Sequence, residues 1–135
     1  KQTIYYPYYH ASRYGRGTVL RPEIISPVYD TDQHQGVNFT EAIGVLSEDE
    51  REITLFAVNR SQDSPTELDC TLNNMGDLEL IEHIVLEHED IKATNTEENP
   101  DNVKPHNQGR TMVKGYRVMA ELPALSWNVV RLRLK

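Results

Sequence analysis

Two histidines and three glutamates, the side chains most often found at metal sites, fall between residues 82 and 89 of this chain. His83 and His88 stand among Glu82, Glu87 and Glu89. Side chains on a β-strand alternate between its two faces, so an odd spacing of five residues would send the two imidazoles to opposite sides. They could not then share an ion in the compact geometry that metals require. We therefore predict a solvated acidic face, with neither metal nor cofactor.

Paired carboxylates are the second chemistry to consider. A glycosidase needs two carboxyl groups about 5 Å apart for retention, or about 6.5–9.5 Å apart for inversion. The chain has 21 acidic residues, so some pair will always meet such a distance. Nothing in the sequence singles one pair out, and we predict no catalytic residue and no substrate-binding residue in this chain.

The single cysteine and the paired glycines offer little chemistry. Cys70 is in phase with Leu68 and Leu72, which predicts a small buried core residue. Gly15 and Gly17 form an isolated Gly-x-Gly with no predicted helix after it, so a nucleotide site is not indicated.

Five of the seven tyrosines lie in the first 14 residues. Tyrosine buries its ring while its hydroxyl finds a partner, which is typical of interfaces between domains. Aromatic faces, together with Trp127, would also suit a platform on which sugars stack. Both interpretations stay open from the residues alone, and the candidate interface residues are Tyr5, Tyr6, Tyr8, Tyr9 and Tyr14.

These side chains must be positioned by strands. Residues 37–60 show two runs with alternating apolar side chains around the polar corner Ser-Glu-Asp-Glu, which predicts an antiparallel hairpin. The second run is apolar on both faces at its centre, so it should be a central strand with more sheet around it.

The remaining segments have the spacing of a β-sandwich, with turn signals every 8–12 residues or so. Residues 78–89 fit a helix as well as a strand, and their strand-rich neighbourhood favours a strand. Residues 3–9 are aromatic and contain Pro7, which predicts an extended edge strand or linker. We predict an all-β, two-sheet sandwich or jelly roll, its further strands being residues 18–21, 23–29, 66–72, 110–121 and 127–134.

Composition and charge narrow the partners. The 135 residues are 38% hydrophobic and 26% charged, as in a soluble domain that can bury a core. A net charge of −7 argues against nucleic acid or an anionic membrane as partner, and no apolar run of about 18 residues predicts a membrane span. The start, Lys-Gln-Thr-Ile, is neither an initiator methionine nor a signal peptide, so we expect a longer parent polypeptide and leave its compartment open.

Four motifs carry a family resemblance. They occur in order and in register as Thr3-Ile-Tyr-Tyr-Pro-Tyr-Tyr-His-Ala-Ser-Arg-Tyr-Gly-Arg-Gly17, Ile53-Thr-Leu-Phe-Ala-Val-Asn-Arg60, Asp90-Ile-Lys-Ala-Thr-Asn-Thr-Glu-Glu-Asn-Pro100 and Leu122-Pro-Ala-Leu-Ser-Trp-Asn-Val-Val-Arg131. Nearly the whole chain resembles the C-terminal jelly roll of α-L-arabinofuranosidases of glycoside hydrolase family 51, with residues 1–17 resembling the segment that leaves the catalytic (β/α)₈ barrel.

The resemblance implies a parent enzyme that releases terminal α-L-arabinofuranosyl units from arabinan or arabinoxylan with retention. The two catalytic glutamates of that family belong to the barrel, and its acid/base follows an asparagine. This chain contains no Asn-Glu dipeptide, so no catalytic residue carries over. We expect residues 18–135 to be a non-catalytic domain that packs on the barrel through residues 1–17 and the polar loop 90–108. A carbohydrate-binding module is the alternative.

The resemblance also implies an unfilled sheet edge. The sandwich of that family recruits a segment from the far N-terminus of the full protein, and this chain does not include it. An unfilled edge exposes backbone donors and acceptors, so we expect a homo-oligomer.

Overall fold

The computed structural model describes residues 1–21 and 26–135. Within them, one helix and ten strands follow each other along the chain. In order, they are α1 (Tyr5–Tyr14), β1 (Gly17–Leu20), β2 (Val28–Tyr29), β3 (Val37–Asn38), β4 (Thr40–Ser47), β5 (Glu52–Asn59), β6 (Thr66–Thr71), β7 (Leu78–Leu86), β8 (Thr111–Lys114), β9 (Arg117–Leu122) and β10 (Ser126–Leu134).

The strands form a two-sheet sandwich with a short extra ribbon. The larger sheet has the order β1-β4-β5-β10-β7, the smaller has the order β6-β9-β8, and β2 pairs with β3 alone. All the pairings are antiparallel. The all-β sandwich is thus confirmed, while the jelly-roll path of the chain stays a prediction.

The core lies between the two sheets. It is built from the apolar residues of β5 and β10 on one side and of β6 and β9 on the other, including Ile53, Leu55, Val130, Leu132, Leu68, Cys70, Val118 and Leu122. Each fully buried aliphatic side chain contributes about 1.5–3 kcal/mol relative to its exposed state. The prediction that Cys70 is a core residue is confirmed.

The predicted hairpin is confirmed as β4 and β5. Strand β5 lies between β4 and β10, as its two apolar faces require. The corner is closed by side chains, because Asp49 accepts hydrogen bonds from the Ser47 hydroxyl at 2.6 Å and from the Arg51 N–H at 3.1 Å.

Several other strand predictions are confirmed, and those at residues 110–121 and 3–9 are wrong. Residues 78–86 are a strand, and the predicted strand at 23–29 lies partly outside the described residues. Residues 110–121 are two strands rather than one, because Gly115, with φ 58°, reverses the chain in a two-residue turn between Lys114 and Arg117. Glycine is favoured at the first central position of such a turn.

The largest correction concerns the N-terminus. The edge strand or linker predicted at residues 3–9 is wrong, because residues 5–14 form helix α1. Pro7 is the third residue of that helix, and N–H groups in the first turn have no carbonyl partner within the helix, so proline is tolerated there.

Candidate functional site: the aromatic helix and its docking face

Helix α1 carries the tyrosine cluster and docks on the outer face of the five-stranded sheet. The rings of Tyr5 and Tyr9, one turn apart, stack with their centroids 5.9 Å apart. The helix ends where the Gly15 N–H donates to the Ala11 carbonyl at 2.8 Å. This arrangement divides the tyrosines between a face that contacts the sheet and a face that contacts solvent.

His10 is the residue that anchors the helix. It is only 4% exposed, and its Nδ1 atom accepts a hydrogen bond from the indole N–H of Trp127 at 3.1 Å. The Trp127 ring packs in turn on Phe56, with centroids 5.7 Å apart. Since Nδ1 accepts, the neutral imidazole carries its proton on Nε2. Burial lowers the pKa of His10, and the charge of Glu82 opposes this shift only in part.

Arg131 forms the second contact with the helix. Its guanidinium lies 4.3 Å from the centre of the Tyr14 ring, a distance at which a cation is attracted to an aromatic face. The same group donates to Glu82 at 2.6 Å and to Glu52 at 3.2 Å. Burial acts to lower the pKa of Arg131, but the hydrogen bonds to the two carboxylates outweigh it and raise the pKa.

The two glutamates beside Arg131 place two carboxylates near the helix. Both Glu52 and Glu82 are ion-paired with the same guanidinium. Each carboxylate accepts a hydrogen bond from that guanidinium, at 2.6 Å for Glu82 and 3.2 Å for Glu52. The pair therefore serves to hold Arg131 in place.

The opposite face of α1 is exposed. Tyr8 is 71% exposed, and Tyr5, Tyr9 and Ile4 are exposed beside it. Tyr6 is half-buried. Of the five candidate tyrosines, three thus stand free on the outer face, while Tyr14 packs inward against the sheet. The combined platform of tyrosines and Trp127 is not assembled, because Trp127 lies on the docked side of the helix.

Loop 90–108 lies next to the start of the helix. The Asn95 amide donates to the carbonyls of Lys1 and Val103, each at 2.8 Å, and the Asn95 side-chain oxygen accepts from the Val103 N–H at 2.7 Å. Further along, His106 and Val85 exchange two backbone hydrogen bonds. The loop is therefore an ordered layer that covers the free edge of β7, and Ile91 projects from it into solvent.

A groove lies between loop 90–108, the end of β7 and Trp127. Its volume is about 420 Å³. It is lined on its apolar side by Leu86, Ile91 and Trp127, and on its polar side by Glu87 and His88 among others. The groove could receive a small polar ligand beside Trp127.

The histidine pair considered in the sequence is split by the fold. His83 is 2% exposed and lies inside the sandwich, where its Nε2 atom bonds the Asn128 side-chain oxygen at 2.9 Å and its Nδ1 atom bonds the Thr111 hydroxyl at 2.8 Å. His88 follows the end of β7. Residues 1–21 and 26–135 contain no group of three potential metal ligands.

The acidic face predicted at residues 82–89 is therefore wrong in one respect. Glu89 is exposed and Glu87 is half-buried, but His83 is a core residue. Burial lowers the pKa of His83, and the hydrogen bond to the Asn128 side-chain oxygen opposes this shift only in part. A lone histidine within a strand gives no sequence signal of the asparagine that will pair with it.

Sequence analysis also missed His10 and Arg131. The spacing of His10 and Tyr14 is one helical turn, which would have suggested a shared face had residues 5–14 been interpreted as a helix. Arg131 alternates with Val130 and Leu132 in β10, which places it on the face opposite the core. What the pattern omitted is that α1 covers this face.

A comparison with protein families matches residues 1–126 to the α-L-arabinofuranosidase C-terminal domain. The chain belongs to this family. The intracellular exo-α-(1→5)-L-arabinofuranosidase of Halalkalibacterium halodurans is 44% identical over 135 residues, which is 100% of this chain and 27% of that protein. The intracellular exo-α-(1→5)-L-arabinofuranosidase 1 of Bacillus subtilis is 46% identical over 133 residues, which is 98% of this chain and 26% of that protein.

Solved structures agree with this assignment. The family 51 α-L-arabinofuranosidase of Bifidobacterium longum superposes with a TM-score of 0.87 and 32% identity over 97% of this C-terminal domain, which is 26% of that chain. The family 51 arabinofuranosidase of Xanthomonas axonopodis, 22% identical with a TM-score of 0.69, shares the fold. This domain spans about a quarter of the length of its curated relatives. No helix in the described part of the chain is long and apolar enough to cross a membrane.

Proposed function

We propose that this domain is the non-catalytic companion of a catalytic (β/α)₈ barrel in one polypeptide. The parent enzyme would remove terminal α-L-arabinofuranosyl units from arabinan or arabinoxylan with retention. In this arrangement residues 1–17 lead out of the barrel, residues 18–135 form the sandwich, and catalysis depends on carboxylates outside this chain. The match of residues 1–126 to the C-terminal domain family is the observation that carries the proposal.

The exposed face of α1 is the surface we propose for the barrel. Ile4, Tyr5, Tyr8 and Tyr9 form one contiguous aliphatic and aromatic stripe on a helix whose other face is anchored. Exposed Ile91, on the ordered loop, lines the same groove as Thr3 just before the helix. Aromatic side chains are enriched at the centres of interfaces because they bury much area with little loss of conformational freedom.

The interface is tested by Tyr8→Asp in the full-length polypeptide. We expect the substitution to lower the unfolding temperature of the parent enzyme and its turnover of a nitrophenyl arabinofuranoside. It should leave the unfolding of this isolated chain unchanged, because Tyr8 makes little contact within the domain. Tyr116→Asp, at an exposed tyrosine in the β8–β9 turn, is the matched control and should change neither. A parent enzyme indifferent to Tyr8→Asp would rule out this surface.

The absence of catalysis is tested separately. We expect this chain alone to release no nitrophenol from nitrophenyl arabinofuranoside. Reproducible turnover by the purified chain would overturn the companion role.

A carbohydrate-binding module is the second candidate. The groove of about 420 Å³ beside Trp127 favours it, because an indole edge and the carboxylate of Glu87 line the same space. Trp127 is the only tryptophan, so its fluorescence reports directly on occupancy. A saturable change on titration with arabino-oligosaccharides, lost in Glu87→Gln, would favour the module over the companion role.

We also propose that this chain self-associates through β6. In the described residues β6 pairs only with β9, and a groove of about 320 Å³ lined by Leu20, Leu55, Leu72 and Met75 lies at the C-terminal end of β6. An edge strand next to an apolar groove can add a further strand. A second copy supplies that strand in the isolated chain.

A further inference from the structure

The contact between α1 and the sheet depends on a titratable acceptor. The Nδ1 atom of His10 accepts from the Trp127 indole N–H at 3.1 Å, and an indole N–H can only donate. When an imidazole is protonated, both of its nitrogens carry hydrogen, so Nδ1 can no longer accept. In this geometry protonation would set two N–H groups against each other in a buried site.

We propose that His10 is a proton-sensitive latch that holds α1 on the sheet when neutral and releases the helix when protonated. The contact is suited to this role because it joins the helix to a strand 117 residues later and because His10 is buried at its centre. Release would displace the stripe of Ile4, Tyr5, Tyr8 and Tyr9 from the position in which the sheet now holds it.

The charged and titratable groups around His10 come from each element packed on it. Strand β7 contributes Glu82, β10 contributes Arg131 and β5 contributes Glu52, while Tyr9 and Tyr14 flank the imidazole on its own helix. Glu82 favours a protonated His10, but its carboxylate already binds Arg131 at 2.6 Å. The loss of hydration on burial acts against the imidazolium and is the larger effect.

The direction of the pH effect follows from the lowered pKa of buried His10. An undocked helix exposes the imidazole, which then has an ordinary pKa of about 6.5. Above that value His10 is neutral in both states and docking does not depend on pH. Below it the undocked state binds more protons, so docking weakens as the pH falls from about 6.5 through the lowered pKa. Each unit between the two pKa values changes the docking constant by about tenfold.

The experiment follows Trp127 emission and amide hydrogen exchange across α1 in this chain between pH 5 and pH 8. We expect a shift of the emission to longer wavelength below pH 6.5. Exchange in α1, corrected for its intrinsic pH dependence, should rise below pH 6.5, by at most about tenfold for each pH unit, while exchange in β5 stays slow. Docking of α1 can be measured this way whether or not the helix meets a barrel.

Two variants decide the outcome. His10→Gln keeps a side-chain oxygen that can accept from the indole but cannot titrate, so both pH responses should disappear. His88→Gln, at the other histidine near Trp127, is the matched control and should retain them. A transition that persists in His10→Gln, or a wild-type chain in which emission and exchange of α1 do not change between pH 5 and pH 8, would overturn the latch.

Discussion

Gly109 lies directly against the imidazole of His83, so closely that a β-carbon at residue 109 would overlap the ring. The ring cannot turn aside without cost, because Asn128 and Thr111 bond its two nitrogens. The Gly109 N–H also donates to the His83 carbonyl at 3.2 Å. This contact seals the end of loop 90–108 against the sandwich.

Gly109→Ala should therefore destabilise the domain by about 1–3 kcal/mol, the usual cost of forcing extra volume into a packed site. Urea denaturation measures the change. Combining Gly109→Ala with His83→Ala removes the ring that the new methyl meets, so the double variant should lose less than the sum of the single losses. Additive losses would show that the two residues do not interact in this way.

Arg131→Met should cost about 1–3 kcal/mol, because it leaves two half-buried carboxylates without their shared cation and removes the contact with Tyr14. The glutamates affected are Glu52 and Glu82. Arg133→Met, at the exposed arginine of the same strand, makes the same chemical change without those partners. Comparable stability of the two variants in urea would contradict a special role for Arg131.

Stability should decline in mildly acidic solution. Burial lowers the pKa of His83 and of His10. Below about pH 6.5 the unfolded chain therefore binds more protons than the folded chain. The free energy of unfolding should be level from pH 8 to about 7 and fall from about 6.5 downward. Urea titrations at several pH values give the slope.

The source of this slope can be assigned by substitution. His83→Gln should make it shallower even though the variant is less stable overall. His34→Gln, at an exposed histidine, should leave it unchanged. An equally steep slope in His83→Gln would show that His83 does not contribute.

Tyr14→Ala and Tyr8→Ala should differ in this chain. Tyr14 packs on His10, on Arg131 and on the apolar cluster of the outer sheet face, so its loss should lower stability by about 2–4 kcal/mol. Tyr8 is mostly exposed, and its loss should change stability by less than about 0.5 kcal/mol. Thermal and urea unfolding both measure the difference, and equal losses would contradict the orientation of α1.

Self-association should respond to a charge in the groove beside β6. Light scattering at high concentration should detect dimers of this chain, and Met75→Lys should reduce them because it places an ammonium group in the apolar groove. Met112→Lys, on the exposed face of the other edge strand, should not. A wild-type chain that stays monomeric at high concentration would rule out self-association through β6.

Local patterns were sufficient for most of the sheet. Alternation with a period of two located β4, β5, β6 and β10, because successive side chains point to opposite faces of a strand. It did not locate the reversal at Gly115. The even spacing of Met112, Val118 and Ala120 predicts one continuous strand, but the two-residue turn shifts the phase, so Val113 pairs with Val118 and Met112 is exposed.

Partners that are distant in the chain could not be found in this way. His83 and Asn128 meet because β7 and β10 are adjacent, 45 residues apart in sequence. The shift in register between Arg131 and Leu132 also changes which β7 residues face inward. The sequence of one strand does not indicate which residues of another strand will pair with it.

The sequence by itself determined most of the strands, the buried position of Cys70 and the family resemblance, because these follow from alternation and from motifs in order. Only the tertiary structure decided that residues 5–14 are a helix with His10 and Tyr14 inward and Tyr8 outward. The surface that selects this orientation consists of Phe56, Trp127 and Arg131, and it exists only after β5 and β10 have paired. The segment takes the conformation that packs His10 and Tyr14 against this face.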